Sequence, residues 1–407
     1  MTTPLLFNPS AHESLVAAPW DEARVRAAVR AIVAEGDRGY DVAAGHWPLH
    51  PLDAGDKDDD TAGTSHGIYL GAAGMLWGID HLVRAGAASS ALDLRAAAAG
   101  LHDGYLRRCR APEEPMPSLL VGETGVRLVA ETIAPGASGR AEALLAAVRS
   151  NAHHEARELL WGAPGTMLAA REMHRRTGEE RWAEAWRESA AALLGEWRCD
   201  EQLGCDLWTQ IIRGRSRPLL GAVHGFAGNV LALLDGFHLL PVEARAAITA
   251  RATRTTLATA VTAHGLANWP AVAGGTIDGT VKTQWCHGAP GMVCSLASLP
   301  ADPDLDVILL AGGELIWQAG PLVKGAGLCH GTAGNGFALL ALFARTGDEI
   351  WLARARSFAM HALAQSSGLR DRHDSGRFGL WTGDLGAVIY AWQCIEGAPA
   401  MPALSAW

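Results

Sequence analysis

Apolar positions along this chain fall into two alternating kinds of stretch. One kind is represented by MLWGIDHLV at residues 75–83, TMLAAREMH at 166–174, NVLALLDGF at 229–237 and NGFALLALF at 335–343, whose apolar spacing suits buried helices. The other kind is amphipathic. Residues 21–35 place Val25, Val29, Ile32 and Val33 on one helical face, with Asp21 and Glu22 where a helix N-terminus favours negative charge. Comparable amphipathic helices are predicted at residues 92–107, 138–151, 179–197, 242–264, 304–317 and 348–365.

Each buried run opens after a Gly-x-x-Gly turn. The glycine pairs are Gly71 and Gly74, Gly122 and Gly125, Gly162 and Gly165, Gly225 and Gly228, Gly288 and Gly291, Gly331 and Gly334, and Gly383 and Gly386. One such turn carries little weight, but seven at intervals of roughly 40–60 residues, each opening a helix, form a repeat. The two glycines let the backbone bend sharply and approach its neighbour closely. One amphipathic outer helix precedes each inner helix, and seven of each, at about 29 residues per helix and connection, account for the chain. A length of 407 residues could hold two or three average domains, but the repeat runs through it and predicts one all-α unit over residues 1–407. Strand-like alternation is short and local.

The connecting stretches add limits. DAGDKDDD at residues 53–60 reads as a solvated acidic loop, since it lacks the Gly and terminal Glu spacing of a calcium loop. Residues 111–117 form a Pro-rich connector. Residues 197–218 are longer and are placed to cover the mouth of a cavity. With 49% hydrophobic residues and 15 Trp there is ample material for a large core, and the net charge of −9, with no basic stripe, argues against nucleic acid as a partner. The start, MTTPLLFNPSAHESL, has no basic segment leading into an apolar run. The longest apolar stretch, residues 219–234, is too short for a membrane span and contains His224. A cytosolic protein without a membrane partner is expected. Seven scattered cysteines argue for reduced thiols over a disulfide framework. Cys109, Cys294 and Cys394 lie in or beside helical runs and read as packing residues.

Three turns carry chemistry: AVHGFAGN at residues 222–229, WCHGAPG at 285–291 and LCHGTAGN at 328–335. Each puts a His, or a Cys followed by a His, directly before the turn. Two thiols and one or more imidazoles brought together from separate helix starts make a zinc site. A site closed by a fourth protein ligand, such as His287 or another Cys, would be structural, whereas three ligands and an open position are the pattern of a catalytic site.

The turns together, and most specifically Trp285-Cys286-His287-Gly288 and Leu328-Cys329-His330-Gly331, resemble the lanthionine synthetase C proteins and the wider lanthionine synthetase C-like group. The resemblance covers essentially the whole chain. It implies an (α/α)7 toroid with zinc bound by Cys286, Cys329 and His330 and a fourth position left for a substrate thiol. It implies addition of that thiol across the double bond of dehydroalanine or dehydrobutyrine, giving a thioether. His224 matches the family's catalytic His and is the candidate acid for the enolate left by the attack.

Departures from the peptide cyclases lie at three positions. Glu158 stands where cyclases carry an Asp four residues before the third turn; Lys282 stands where they usually carry an Arg; and His287 replaces their Tyr after the zinc Cys. A Glu can orient His224 as an Asp does, whereas Lys does not reproduce the planar fork of Arg. These changes lean towards the stand-alone lanthionine synthetase C-like proteins, in which glutathione is the thiol added to dehydroamino acids of peptides or proteins. Lys324 matches a lysine that contacts glutathione there, and His287 is a second candidate substrate contact. Alternatives are a lanthipeptide cyclase closing intramolecular rings and a non-enzymatic zinc-stabilised scaffold that binds a peptide or protein. A toroidal carbohydrate enzyme would need paired carboxylates and leaves Cys286 and Cys329 unexplained.

Overall fold

The computed structural model describes residues 6–53, 61–275 and 281–407. Seven inner helices, Ala72–Arg84, Glu123–Ile133, Ala163–Thr177, Phe226–Asp235, Ala289–Leu296, Thr332–Thr346 and Asp384–Glu396, each start at the first glycine of a turn. Each packs on the next and the seventh packs back on the first, so the inner ring closes. The outer helices are Glu22–Gly39, the pair Leu94–Ala99 and Leu101–Arg108, Arg140–Ser150, Glu180–Gly195, Val242–Thr259, Pro303–Ala319 and Glu349–His373. The first of them lies against the last inner helix. This is the (α/α)7 toroid, with a core that includes Trp77, Trp182, Trp186, Trp208, Trp269, Trp285 and Trp381, all fully buried.

Several predicted bounds shift for local reasons. The first outer helix begins one residue later because Asp21 is its cap, accepting a hydrogen bond from the Arg24 N–H at 3.0 Å. The second is broken at Gly100 into two short helices. The helix predicted to reach residue 264 ends at Thr259. Its β-branched tail enters a hairpin, Val261–Ala263 with Leu266–Asn268, turned by His264 and Gly265, both at positive φ. The last outer helix runs on to His373. Residues 197–218 fold as two hairpins, Arg198–Asp200 with Cys205–Leu207 and Gln210–Ile212 with Arg215–Arg217. Of the predicted acidic loop, residues 54–60 lie outside the described residues. Asp53 itself is not solvated: its carboxylate is buried against Arg377, whose Nε donates to it at 2.7 Å.

The turns owe their glycines mainly to crowding. A Cβ on the second glycine would stand 1.8–2.3 Å from the carbonyl oxygen six residues earlier in every turn, for example Leu119 O at Gly125 and Leu328 O at Gly334. No side chain fits there. Of the first glycines only Gly288, at φ +95°, also needs the left-handed region.

Backbone hydrogen bonds then stitch neighbouring turns together: Tyr69 N–H to Leu120 O, Leu159 N–H to Val223 O, Cys286 N–H to Cys329 O, Cys329 N–H to Trp381 O and Trp381 N–H to Tyr69 O. At the ring's other end Met401, Ala403 and Leu404 are buried, and Trp407 meets Trp77 edge-on. The amino-terminal segment is tied beside the sixth turn: Val323 N–H donates to Ala11 O, Glu13 N–H to Pro321 O, and the Glu13 carboxylate binds His361 and Gln365. All seven cysteines are free of disulfides; Cys394 is buried and Cys109 and Cys294 partly so. No helix among the described residues is long and apolar enough to cross a membrane.

Candidate metal centre

Each turn offers two ring-facing stations, the residues two and one before its first glycine. Around the ring these are Tyr69 and Leu70, Leu120 and Val121, Leu160 and Trp161, Val223 and His224, Cys286 and His287, Cys329 and His330, Trp381 and Thr382. Nine of these fourteen side chains need no chemistry to pack or face solvent; a sulfur or an imidazole at adjacent stations changes what the end of the ring can bind. A cavity of about 710 Å³ opens there, lined by Tyr69, Trp161, His224, Lys282, Gln284, Cys286, His287, Lys324, Cys329 and His330. Ile211, Ile212 and Arg213 of the second hairpin reach the same cavity, so residues 197–218 do extend to its mouth.

The sulfurs of Cys286 and Cys329 and a ring nitrogen of His330 lie within 4.8 Å of one another. A tetrahedral zinc with bonds of about 2.3 Å to sulfur and about 2.0 Å to nitrogen sets its ligand atoms roughly 3.5–3.8 Å apart. The three side chains therefore need only a small adjustment to close on such an ion, and two sulfurs with one imidazole are a donor set that suits zinc. The thiols also share one hydrogen bond. It pulls Cys286 well below the ordinary thiol range, with help from His330, and together with burial pushes Cys329 well above it. Binding of a cation would displace the proton that the pair retains. His287 does not join the group. Burial lowers its pKa, and its ring lies 6.0 Å from that of His224.

His224 and Glu158, 66 residues apart, form a second unit. The buried Glu158 carboxylate accepts from His224 Nδ1 at 2.8 Å and from the backbone N–H groups of Trp161 at 2.6 Å and Leu160 at 3.1 Å. Three donors compensate the buried charge. A carboxylate partner fixes the proton on Nδ1 and leaves Nε2 for the cavity, towards which the His224 side chain is 24% exposed. Trp161 stacks on the imidazole at 5.2 Å.

Lys282 and Lys324 are exposed on the cavity wall. Lys324 also lines an adjoining cavity of about 560 Å³, with Glu13, His361, Gln365 and Arg372. All eight residues singled out in the sequence thus belong to one end of the ring, seven on the cavity and Glu158 behind His224.

Three neighbours were not singled out. Tyr69 hydrogen-bonds to Cys329 and stacks on Trp381; the Gln284 side-chain amide lies 2.8 Å from the Cys286 sulfur; and Trp161 covers His224. Aligning the seven turns would have exposed Tyr69, which holds the same station as the two cysteines, and Trp161, which holds the station of His224. Gln284 has no such signal.

The family description "Lanthionine synthetase C-like protein" matches residues 104–403. Over 98 residues the chain is 40% identical to the LanC-like protein GCL1 of Arabidopsis thaliana, covering 23% of this chain and 22% of that one. Over 78 residues it is 46% identical to the glutathione S-transferase LANCL1 of Danio rerio, covering 18% and 19%. The aligned stretches thus span about a fifth of each relative. The fold is similar to that of nisin cyclase, with a TM-score of 0.63 at 13% identity over 86% of this chain and 93% of that one.

Proposed function

The chain belongs to the lanthionine synthetase C-like family, and on that premise we propose that it is a zinc-dependent enzyme adding a small thiol, glutathione for preference, to dehydroalanine or dehydrobutyrine residues of a peptide or protein. Family membership supports thioether chemistry in general. The observation that carries the finer reading is the sharing of one cavity by the Cys286, Cys329 and His330 group and the His224–Glu158 pair. The first is built to hold a metal and the second to move a proton.

Zinc, when bound, lowers the pKa of a coordinated thiol, so that it reacts as the thiolate. Cys286, Cys329 and His330 would hold the ion, with room at the cavity for that thiol. The thiol proton departs first, to water. Sulfur then bonds to the β-carbon, the π pair of the C=C bond moves to the α-carbon and its carbonyl as an enolate, and the α-carbon takes a proton; the sum is S–H added across C=C. His224, protonated on Nε2, delivers that last proton, while Glu158 holds the ring in place. Lys282 on the wall favours the enolate's negative charge, and His287, which lines the same cavity, is the second proposed substrate contact.

Glutathione is favoured over the peptide's own cysteine because Lys324 borders both cavities, giving a charged tripeptide room beyond the sulfur. The test supplies purified protein, zinc and a dehydroalanine peptide lacking cysteine, with either glutathione or an uncharged thiol, and follows the mass of the product. A glutathione adduct formed faster than the uncharged one is expected. No adduct with either thiol, but rapid ring closure of a cysteine-bearing dehydrated peptide, makes the protein a cyclase. Zinc and peptide binding without any thioether makes it a scaffold.

A further inference from the structure

Each ligand sulfur has its own neutral hydrogen-bond partner. The Gln284 side-chain nitrogen is 2.8 Å from the Cys286 sulfur, and the Tyr69 hydroxyl hydrogen-bonds to Cys329. One partner is held within the loop that carries its cysteine and the other comes from elsewhere in the ring. Gln284 exchanges backbone hydrogen bonds with His287, which fixes it in the tight loop carrying Cys286. Tyr69 comes from the first turn. Its ring stacks on Trp381 at 6.1 Å and 12°, Trp381 in turn packs on Trp285 at 4.8 Å, and the backbone runs Cys329 N–H to Trp381 O and Trp381 N–H to Tyr69 O. Closure of the ring is therefore what brings a residue 260 positions earlier in the sequence to the sulfur of Cys329.

A thiolate only accepts hydrogen bonds, so in the metal-bound state both Tyr69 O–H and Gln284 N–H donate to sulfur. Donation of this kind draws electron density off a ligand and tunes the ion it binds. We infer that Tyr69 and Gln284 are positioning residues that damp the two ligand thiolates, so that the substrate's sulfur is the one most ready to attack the electrophile. An arriving thiol meets no such donor at these two positions, since each is already committed to a cysteine. Without the damping, three thiolates of similar reactivity would face the same dehydroamino acid, and alkylation of a ligand would destroy the site. This inference rests on the metal reading given above.

The experiment replaces zinc by cobalt, whose sulfur-to-metal charge-transfer band reports electron density on the ligands, in the wild type, Tyr69→Phe and Gln284→Met. Both substitutions keep bulk and remove the donor. The band is expected to move to longer wavelength in each variant. Zinc affinity, read by competition with a chromophoric chelator, is expected to fall about 10–100-fold, as for other partners of metal ligands. Weaker binding with an unmoved band in both variants means that the side chains only pack, and overturns the inference while leaving the metal site standing. A wild-type protein that binds neither cobalt nor zinc removes both. If one variant fails to fold, as judged by circular dichroism, the other decides, since the two hydrogen bonds come from separate turns.

Discussion

The first three turns and the next three of the ring are built alike and furnished differently. In the first three the stations before the glycines hold Tyr69 and Leu70, Leu120 and Val121, Leu160 and Trp161; in the next three they hold Val223 and His224, Cys286 and His287, Cys329 and His330. Both halves place the second glycine against a carbonyl oxygen, 1.9 Å from a built Cβ at Gly125 and 1.8 Å at Gly334, and both open an inner helix there. The scaffold therefore does not depend on the chemistry. What sets the two sides apart is the identity of two residues per turn, on a backbone that brings both positions of the fourth, fifth and sixth turns to one cavity.

The largest expected break in this comparison is loss of metal. Cys286→Ala and Cys329→Ala should each lose the single zinc per chain, while Leu120→Ala, at the matching station on the other side, keeps it; metal content of the purified proteins decides. Full zinc in both cysteine variants would remove the assignment. Next comes proton transfer. His224→Asn should leave zinc and folding intact and slow thiol addition roughly 10²–10⁴-fold, the span usual for a general acid or base. Unchanged turnover would leave His224 a structural residue only.

Glycine substitution sharpens the comparison by separating scaffold from chemistry. Gly125→Ala and Gly334→Ala should both destabilise by about 1–3 kcal/mol or more, because backbone must move to admit the new Cβ. Only Gly334→Ala should also weaken zinc binding, since Leu328, whose oxygen is displaced, precedes Cys329. Denaturant midpoints and metal titration measure the two effects, and equal metal loss in both variants would contradict the separation. The smallest effect belongs to Lys324→Ala. It should raise the KM for glutathione roughly two- to fivefold, the equivalent of about 0.4–1 kcal/mol and within the range for an exposed ion pair, and should not affect an uncharged thiol. A matching rise for both thiols would count against a contact with the anion.

The alternation of amphipathic and buried helices, the seven Gly-x-x-Gly turns and the Cys and His residues before them are all local properties of the chain. A helix face repeats every 3.6 residues, and a glycine marks a place where backbone leaves no room for Cβ. Those features suffice for seven outer and seven inner helices and for the ligand candidates, while the closed toroid was implied by the resemblance. Interruptions were less legible. The break at Gly100 and the hairpin at residues 261–268 replace a continuing helix because turn geometry and packing override a weak local preference. Tertiary structure separated the two imidazoles that local spacing leaves equivalent, grouping with the sulfurs the one that the resemblance implied. His287 and His330 follow their cysteines in the same way, yet only His330 closes on the sulfurs while His287 turns towards His224. It also brought Tyr69 to Cys329 through the closed end of the ring, and it realised across 66 residues the contact of Glu158 with His224 expected from the resemblance. Contacts of that kind depend on how distant turns are brought side by side, and a one-dimensional pattern of residues holds no record of it.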